Sequence, residues 1–192
     1  IAVHLLSKRQ IEELELTNRL IQILIKEKSL YTKIEICLAL QEGKEETAKL
    51  LITYLGKIGE NQHKKLPSRS SRKKSYPLPR DIIARTLAKM DTCISPLLHN
   101  ELKNNDEHML SELIDSIGFM TFYNNQLASK NHFNKLLNLY NKTENILIQW
   151  KLILSFSSFP INQSKAKLNS IIKENKHPLL VEEANRSLKI IG

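Results

Sequence analysis

Apolar side chains recur every three or four residues through most of the chain, which is the spacing of one face of an α-helix. The closing segment, residues 177–192, keeps this spacing at five positions: Leu180, Val181, Ala184, Leu188 and Ile191. Pro178 suits the first turn of a helix, because the N–H that proline lacks would have no partner there. Gly192 stands where a helix would end. The segment therefore predicts a helix, and its small Ala184 would let a neighbouring helix approach closely.

Ten segments carry this helical pattern, and no segment alternates apolar and polar residues for long enough to indicate a strand. The predicted helices span residues 11–27, 30–43, 44–59, 78–90, 92–104, 105–122, 129–141, 143–159, 163–175 and 177–192. Ser29 suits the N-cap of the second helix. Four of the five glycines fall at predicted helix ends, as helix termination requires: Gly43, Gly56, Gly59 and Gly192. The fold class predicted from this pattern is all-α.

The ten predicted helices form five pairs, which we treat as five helical hairpins. Equivalent apolar positions in the second helix of each pair are Leu40, Leu87, Ile117, Leu154 and Leu188, so that the spacings are 47, 30, 37 and 34 residues. The longest spacing contains a stretch of about 17 residues without a helical pattern, at residues 61–77. Helical hairpins that recur with a period of 30–37 residues predict an α-solenoid.

Four segment ends, YLGKIG, TLAKMD, DSIGFM and SLKIIG, resemble the ends of HEAT-like repeats, especially the short repeats of phycobilisome-lyase-type proteins. The resemblance covers most of residues 11–192 and implies a single armadillo-like helical domain over residues 1–192. It also implies a right-handed α-α superhelix of about five hairpins, whose second helices line the concave face. The fourth repeat departs from the pattern, since Trp150 stands in the place of Ala184 and SFSSF replaces a glycine ending.

Residues 61–77, NQHKKLPSRSSRKKSYP, hold six basic residues and no acidic ones, and predict an exposed loop inserted into the solenoid. Their charges account for +6 of the net charge of +9. We expect few contacts with the core, so that deleting the loop would leave the melting temperature nearly unchanged. The RKKS sequence that ends at Ser75 also resembles a basophilic kinase site. Nucleic acid, an anionic membrane surface or an acidic protein could bind here, or the loop could simply be solvated.

The candidate partner-binding residues lie in this loop and just after it. Tyr76 could stack on a nucleic-acid base, and two arginines of the next helix could extend the positive strip. The complete set is Lys64, Lys65, Arg69, Arg72, Lys73, Lys74, Tyr76, Arg80 and Arg85.

Other residue types give no catalytic constellation, and we expect no enzyme activity, no cofactor and no metal. No histidine belongs to an HExxH motif or precedes a glutamate, as the HEAT-repeat di-iron hydroxylases require, and we expect surface or helix-end histidines at positions 4, 63, 99, 108, 132 and 177. We expect Cys37 and Cys93 to be small buried apolar residues in a reducing cytosol.

A column of acidic residues appears when the repeats are aligned. Its members are Glu35, Glu112 and Glu183, with Gln149 in the fourth repeat and Ile82 in the second. A ladder of carboxylates along one edge could bind cations or basic partners. The alternative is that each charge offsets the dipole of its own helix, because each lies in the first half of a helix.

These patterns lead to two hypotheses about function. Because no apolar stretch is long enough to span a membrane and no secretory signal is evident, we expect a cytoplasmic protein. The sequence lacks an initiator Met, so we expect a fragment or a processed chain. The first hypothesis is a non-enzymatic HEAT-repeat scaffold that binds a protein partner through its concave face. The second is a nucleic-acid-binding protein that resembles the alkyl-purine DNA glycosylases built from HEAT-like repeats. Trp150, Arg85 and Asp115 are of the residue types which that resemblance requires in the groove.

Overall fold

The computed structural model describes residues 13–192, and within them it contains ten α-helices, two short 3-10 turns and no strand. The predicted all-α class is confirmed. The helices are α1 (Glu13–Lys26), α2 (Leu30–Gln41), α3 (Glu45–Ile52), α4 (Ile82–Leu87), α5 (Ser95–Glu101), α6 (Glu107–Tyr123), α7 (Lys130–Lys142), α8 (Ile146–Phe156), α9 (Asn162–Glu174) and α10 (Pro178–Ile191). The 3-10 turns are Thr92–Ile94 and Asn125–Leu127. His4 and the first two residues of the predicted first helix lie outside the described residues.

Polar side chains set where several helices begin. Ser29 caps α2 as predicted, since its side chain accepts a hydrogen bond from the backbone N–H of Thr32. Asp81 caps α4, with its Oδ1 2.7 Å from the nitrogen of Ala84, and Pro178 opens α10 as expected. The third predicted helix is shorter than expected. It ends at Ile52, and residues 53–59 form turns instead of continuing to residue 59.

The helices pack in chain order, and every extensive contact joins helices that are one or two positions apart. The even-numbered helices, which correspond to the second helices of the predicted hairpins, form a continuous series. In this series α2 contacts α4, α4 contacts α6, α6 contacts α8, and α8 contacts α10. The contacts between α6 and α8, between α9 and α10, and between α8 and α10 are the most extensive.

The core follows this series of even-numbered helices. Helix α6 is buried along most of its length, and Ile114 on α6 and Leu152 on α8 are fully buried. The ring of Phe133 on α7 lies 5.1 Å from that of Phe156 on α8, and both rings are buried. Ala184 on α10 is also fully buried, as the close approach of neighbouring helices requires. Burial of these apolar groups is the dominant favourable contribution to folding.

The prediction that both cysteines are buried is wrong. Cys93 is exposed, and Cys37 is only half-buried. Helix α4 ends at Leu87, so Cys93 lies in a 3-10 turn whose N-cap is Asp91, and it does not occupy the buried face of a helix. The histidines were expected at the surface or at helix ends, and His99 lies in the last turn of α5. It is only 3% exposed there, and its ring stacks on the ring of His132 with a centroid separation of 4.0 Å.

Candidate functional site

The basic loop, residues 61–77, lies between α3 and α4 and has no regular secondary structure, as predicted. The expectation that it makes few contacts with the core is wrong. Gln62, Ser70 and Tyr76 are buried, and the loop packs on α6, α8 and α10. These are three consecutive members of the series of even-numbered helices.

Tyr76 anchors the end of the loop against α6. It is 2% exposed, and its ring lies 5.9 Å from the ring of Phe122 and 6.3 Å from that of Phe119. Gly118 provides the space for this ring, because a Cβ atom at Gly118 would lie 2.1 Å from the Tyr76 hydroxyl oxygen. The hypothesis that Tyr76 stacks on a base is therefore wrong, since its ring is already enclosed by the protein.

Arg186 on α10 holds the same end of the loop by its backbone. Its Nη2 donates to the carbonyl oxygens of Ser75 at 2.8 Å and Lys73 at 3.0 Å, and its Nε donates to the Lys73 carbonyl at 3.1 Å. The remaining nitrogen, Nη1, donates to Glu183 Oε1 at 2.8 Å. Two nitrogens of the guanidinium thus fix the loop to α10, and the third binds Glu183 on α10 itself.

Glu183 also accepts a hydrogen bond from the indole Nε1 of Trp150, at 3.2 Å from its second oxygen. The side chain of Glu183 is fully buried, and this burial raises the pKa of its carboxyl above the ordinary value, against the opposing effect of Arg186. The hypothesis of a carboxylate ladder that binds cations or basic partners is wrong, because Glu112 and Glu183 are buried. Of the three glutamates, only Glu35 is exposed. Each of the two buried carboxylates has a specific cationic partner, which a general effect of the helix dipole does not describe.

The beginning of the loop is fixed by Gln62 and His63. The Nε2 of Gln62 donates to the carbonyl of Ile58 at 2.9 Å and to Asp81 Oδ2 at 2.8 Å. The ring of His63 meets Trp150 edge to face, with centroids 5.2 Å apart. Burial lowers the pKa of His63 to about 4, helped by the nearby charges of Lys151 and Arg80, so this imidazole is neutral near pH 7.

A cavity of about 450 Å³ lies between the basic loop and helices α6 and α8. Four cationic residues line it: Arg69, Arg72, Lys73 and Arg80. Trp150, Leu154 and Asp115 form part of the opposite wall. Within residues 13–192, none of these four cations forms an ion pair with a carboxylate.

The other five predicted site residues do not line this cavity. Lys64 pairs with Glu60 at 2.6 Å, and Arg85 donates its Nε to the carbonyl of Pro79 at 3.0 Å. Tyr76 is buried, and Lys65 and Lys74 are exposed elsewhere on the loop. The structure therefore brings four of the nine predicted residues together and separates the rest.

A buried lysine, Lys151, binds Asp115 in the wall of the cavity. Lys151 is fully buried, and its Nζ donates to Glu112 at 2.8 Å, to Asp115 at 2.9 Å and to the carbonyl of Ser111 at 3.0 Å. Burial disfavours the ammonium, but the two carboxylates outweigh this effect and raise the pKa of Lys151. Burial likewise raises the pKa values of Glu112 and Asp115, and Lys151 opposes that shift. Lys151 is therefore charged, and Asp115 is held in place by it.

Sequence reasoning did not identify His63, Lys151, Glu183 and Arg186 as parts of one site. Lys151 carries the clearest signal that was missed, because it is the one charged residue in the apolar helix ILIQWKLILSF. A lysine at the centre of such a helix requires a buried anionic partner. Arg186 gave no such signal, since its partners are backbone carbonyls more than 110 positions earlier in the chain.

The arrangement is suited to binding an anion. Guanidinium groups bind phosphate oxygens with two parallel hydrogen bonds. None of the four cations around the cavity is engaged in an ion pair with a carboxylate of the described part of the chain. Among the described residues, no three His, Cys, Asp or Glu side chains are grouped closely enough to hold a metal ion. None of the helices within residues 13–192 combines the length and the apolar composition that crossing a membrane requires.

Comparison with known proteins gives no match to this chain, whether among protein-family models, curated proteins or solved structures.

Proposed function

We propose that this protein binds nucleic acid, with the phosphate backbone held by the basic loop at the cavity between the loop and helices α6 and α8. The observation that carries the proposal is the group of four cations around a cavity walled by an indole, none of which pairs with a carboxylate among residues 13–192. A protein surface normally disperses or pairs such charges, because like charges repel when they are crowded together. A polyanion would neutralise them and release its own condensed counterions.

The charge of the whole chain supports a polyanionic partner over a small acid. The net charge is +9, so the long-range field attracts anions and accelerates their encounter with the protein. Asp115 and Trp150, two of the three residues named by the hypothesis of a glycosylase-like groove, both line this cavity. Arg85 departs from that resemblance, because it lies outside the cavity wall. Asp115 is bound by Lys151, which suits a structural role, and we propose binding without base excision.

Trp150 makes the test direct, because it is the one tryptophan in the chain and lies in the cavity wall. We expect its fluorescence to change when single-stranded or duplex DNA is titrated into the protein. The affinity should fall steeply between about 50 and 200 mM salt, since a logarithmic slope of about −0.9 per neutralised phosphate is expected for duplex DNA. Replacing two cavity cations in R69Q/R72Q should weaken binding and reduce the magnitude of that slope by about two.

The matched control is K130Q/K173Q, which removes the same charge from exposed positions on α7 and α9. If both double variants lose affinity equally, binding is a general effect of net charge and the proposed site is wrong. If wild type shows no salt-dependent binding to either form of DNA, the proposed function itself is wrong. Titration with anionic lipid vesicles in place of DNA tests the membrane-surface alternative with the same fluorescence signal.

A second candidate is the HEAT-like scaffold, and we propose with it that the hairpins stack as a right-handed superhelix. The unbroken contacts among the even-numbered helices support such a stack. The basic loop lies across α6, α8 and α10, so a protein partner would need another surface. Helix α2 offers one, because four of its large apolar side chains are exposed: Leu30, Tyr31, Ile34 and Leu38.

The two candidates predict different sensitivities to mutation. A protein partner bound at α2 should be lost with I34K/L38K and retained with R69Q/R72Q. Nucleic acid bound at the cavity should show the reverse pattern. Circular dichroism of both variants would verify that the helices remain intact, since Ile34 and Leu38 are more than 40% exposed and their replacement opens no core cavity.

A further inference from the structure

We infer that Glu183 and Arg186 are positioning residues of the proposed anion site, which fix the basic loop and the indole of Trp150 relative to each other. This inference rests on the proposed function, because it names the residues that hold that site in its binding geometry. Neither residue lines the cavity. Their effect on a bound polyanion would therefore be indirect.

The basic loop needs an external anchor, because its own composition disfavours a fixed conformation. It carries six basic residues, and ordering a backbone costs about 1–2 kcal/mol per residue. Crowding its cations over one cavity adds Coulombic repulsion. The anchor at its second half consists of Tyr76 in the core and of the hydrogen bonds from Arg186 to the Lys73 and Ser75 carbonyls.

The position of Lys73 shows how the anchor acts on the site. This residue lines the cavity, and its backbone carbonyl is held by Arg186. Arg72 is its neighbour in the chain and also lines the cavity. Arg186 therefore sets where two of the four cations can lie, although it contacts only main-chain atoms of the loop.

Glu183 connects this anchor to the other side of the cavity. One carboxylate oxygen binds Arg186 at 2.8 Å, and the other accepts from the Trp150 indole at 3.2 Å. The buried carboxylate of Glu183 thus binds both Arg186, which fixes the basic loop, and the indole of Trp150, which forms part of the cavity wall. Glu183 orients the guanidinium of Arg186 toward the loop carbonyls, and it also keeps the indole of Trp150 in one orientation.

Charge-conserving replacement of Arg186 tests the geometry of the anchor. Lysine retains the positive charge, but its single ammonium cannot replace three guanidinium nitrogens that bind two carbonyls and a carboxylate. In R186K we expect trypsin to cleave within residues 64–75 at least about tenfold faster than in wild type, because local opening exposes the loop to the protease. The control R19K makes the same replacement at an exposed residue of α1 that pairs with Glu15 of the same helix, and should be cleaved in the loop at the wild-type rate.

DNA binding by the same variants tests the positioning role. R186K should bind DNA about tenfold more weakly at a fixed salt concentration, while the salt slope keeps its wild-type value because no phosphate contact is removed. This separates Arg186 from Arg69 and Arg72, whose replacement reduces the slope. E183Q provides a second variant, since it removes the charge that orients Arg186 while its amide oxygen can still accept from Trp150. It should also weaken binding without a change in slope.

The two measurements separate the inference from the proposed function. Wild-type rates of loop cleavage in both R186K and E183Q would overturn the inference. Faster cleavage with unchanged DNA affinity would also overturn it, while leaving the proposed function intact. If wild type binds no DNA, the proposed function is wrong. The inference that Glu183 and Arg186 position an anion site is then overturned as well, even if the cleavage rates show that Arg186 holds the loop.

Discussion

At the scale of single residues, Tyr76 combines a well-packed ring with a poorly accommodated hydroxyl. The ring is 2% exposed and packs beside Phe119 and Phe122, but the hydroxyl oxygen is buried without a hydrogen-bond partner among the described residues. A buried polar group that lacks a partner costs about 1–3 kcal/mol relative to its state in water. Tyr76 therefore stabilises the loop through its ring alone.

We expect Tyr76→Phe to raise the free energy of unfolding by about 1 kcal/mol, because it removes the buried hydroxyl and keeps the ring. Urea denaturation followed by circular dichroism measures this change. The control is Tyr123→Phe, whose hydroxyl belongs to a side chain that is 55% exposed and whose loss should alter stability by less than about 0.5 kcal/mol. A loss of stability in Tyr76→Phe would mean that the hydroxyl has a partner, such as a bound water.

At the scale of secondary-structure elements, α10 depends on close packing against α8 and α9. Ala184 and Ser187 on α10 are both fully buried, and the hydroxyl of Ser187 donates to the carbonyl of Ile153 at 3.1 Å. Small side chains at these positions keep the two helix backbones near each other. Trp150 on α8 is buried as well, and Glu183 on α10 accepts a hydrogen bond from its indole N–H.

Replacing Ala184 by Leu should overpack this contact and lower the free energy of unfolding by roughly 1–3 kcal/mol. Hydrogen exchange should show the loss of protection mainly in α8, α9 and α10, fading toward α1, because the extensive contacts join helices only one or two positions apart. Asn185→Leu is the control, since the next residue is exposed on the same helix. An equal loss of protection in all helices would contradict this prediction and indicate a single cooperative unit.

At the scale of the whole molecule, buried titratable groups should shape the dependence of stability on pH. Burial lowers the pKa of His99 to about 4 from an ordinary value of 6.5. Between these values the unfolded chain binds a proton that the folded protein does not, so stability falls as the pH falls. The stabilising contribution is complete above pH 6.5 and is lost as the pH drops through about 4. Burial raises the pKa values of four carboxyl groups, those of Asp81, Glu112, Asp115 and Glu183. The folded protein binds protons at these groups more tightly than the unfolded chain does, so their contribution to stability increases as the pH falls.

Replacing His99 by Gln separates these opposing effects. The variant should lose less stability than wild type between pH 6.5 and pH 4, by up to about 3 kcal/mol, since each proton contributes about 1.4 kcal/mol per pH unit. Urea denaturation at several pH values in this range measures the difference. Replacing the exposed His108 by Gln serves as the control. Parallel pH profiles for wild type and His99→Gln would show that His99 is protonated without cost in the folded protein.

The pattern of the sequence determined the helices because it depends on local chemistry. Apolar periodicity, the cap at Ser29 and the proline at the start of α10 each act within a few residues, so all ten predicted helices have counterparts in the structure, although the first two residues of the predicted first helix lie outside the described residues. The irregular backbone of residues 61–77 was also predictable, because prolines, serines and repeated basic charges disfavour helix and strand alike. The burial of Ala184 follows from its position on the apolar face of α10.

Only the tertiary structure decided where the basic loop lies and which of its charges act together. The bonds from Arg186 to Lys73 and Ser75 and the contact of Tyr76 with Gly118 join residues that are far apart in the chain. No local pattern records such partners, because their free energy depends on the distance between atoms in the folded state. The same reason explains Lys151, whose burial is tolerated only because Glu112 and Asp115 of another helix meet its ammonium. Local chemistry thus specified the helices, and long-range packing assembled the site.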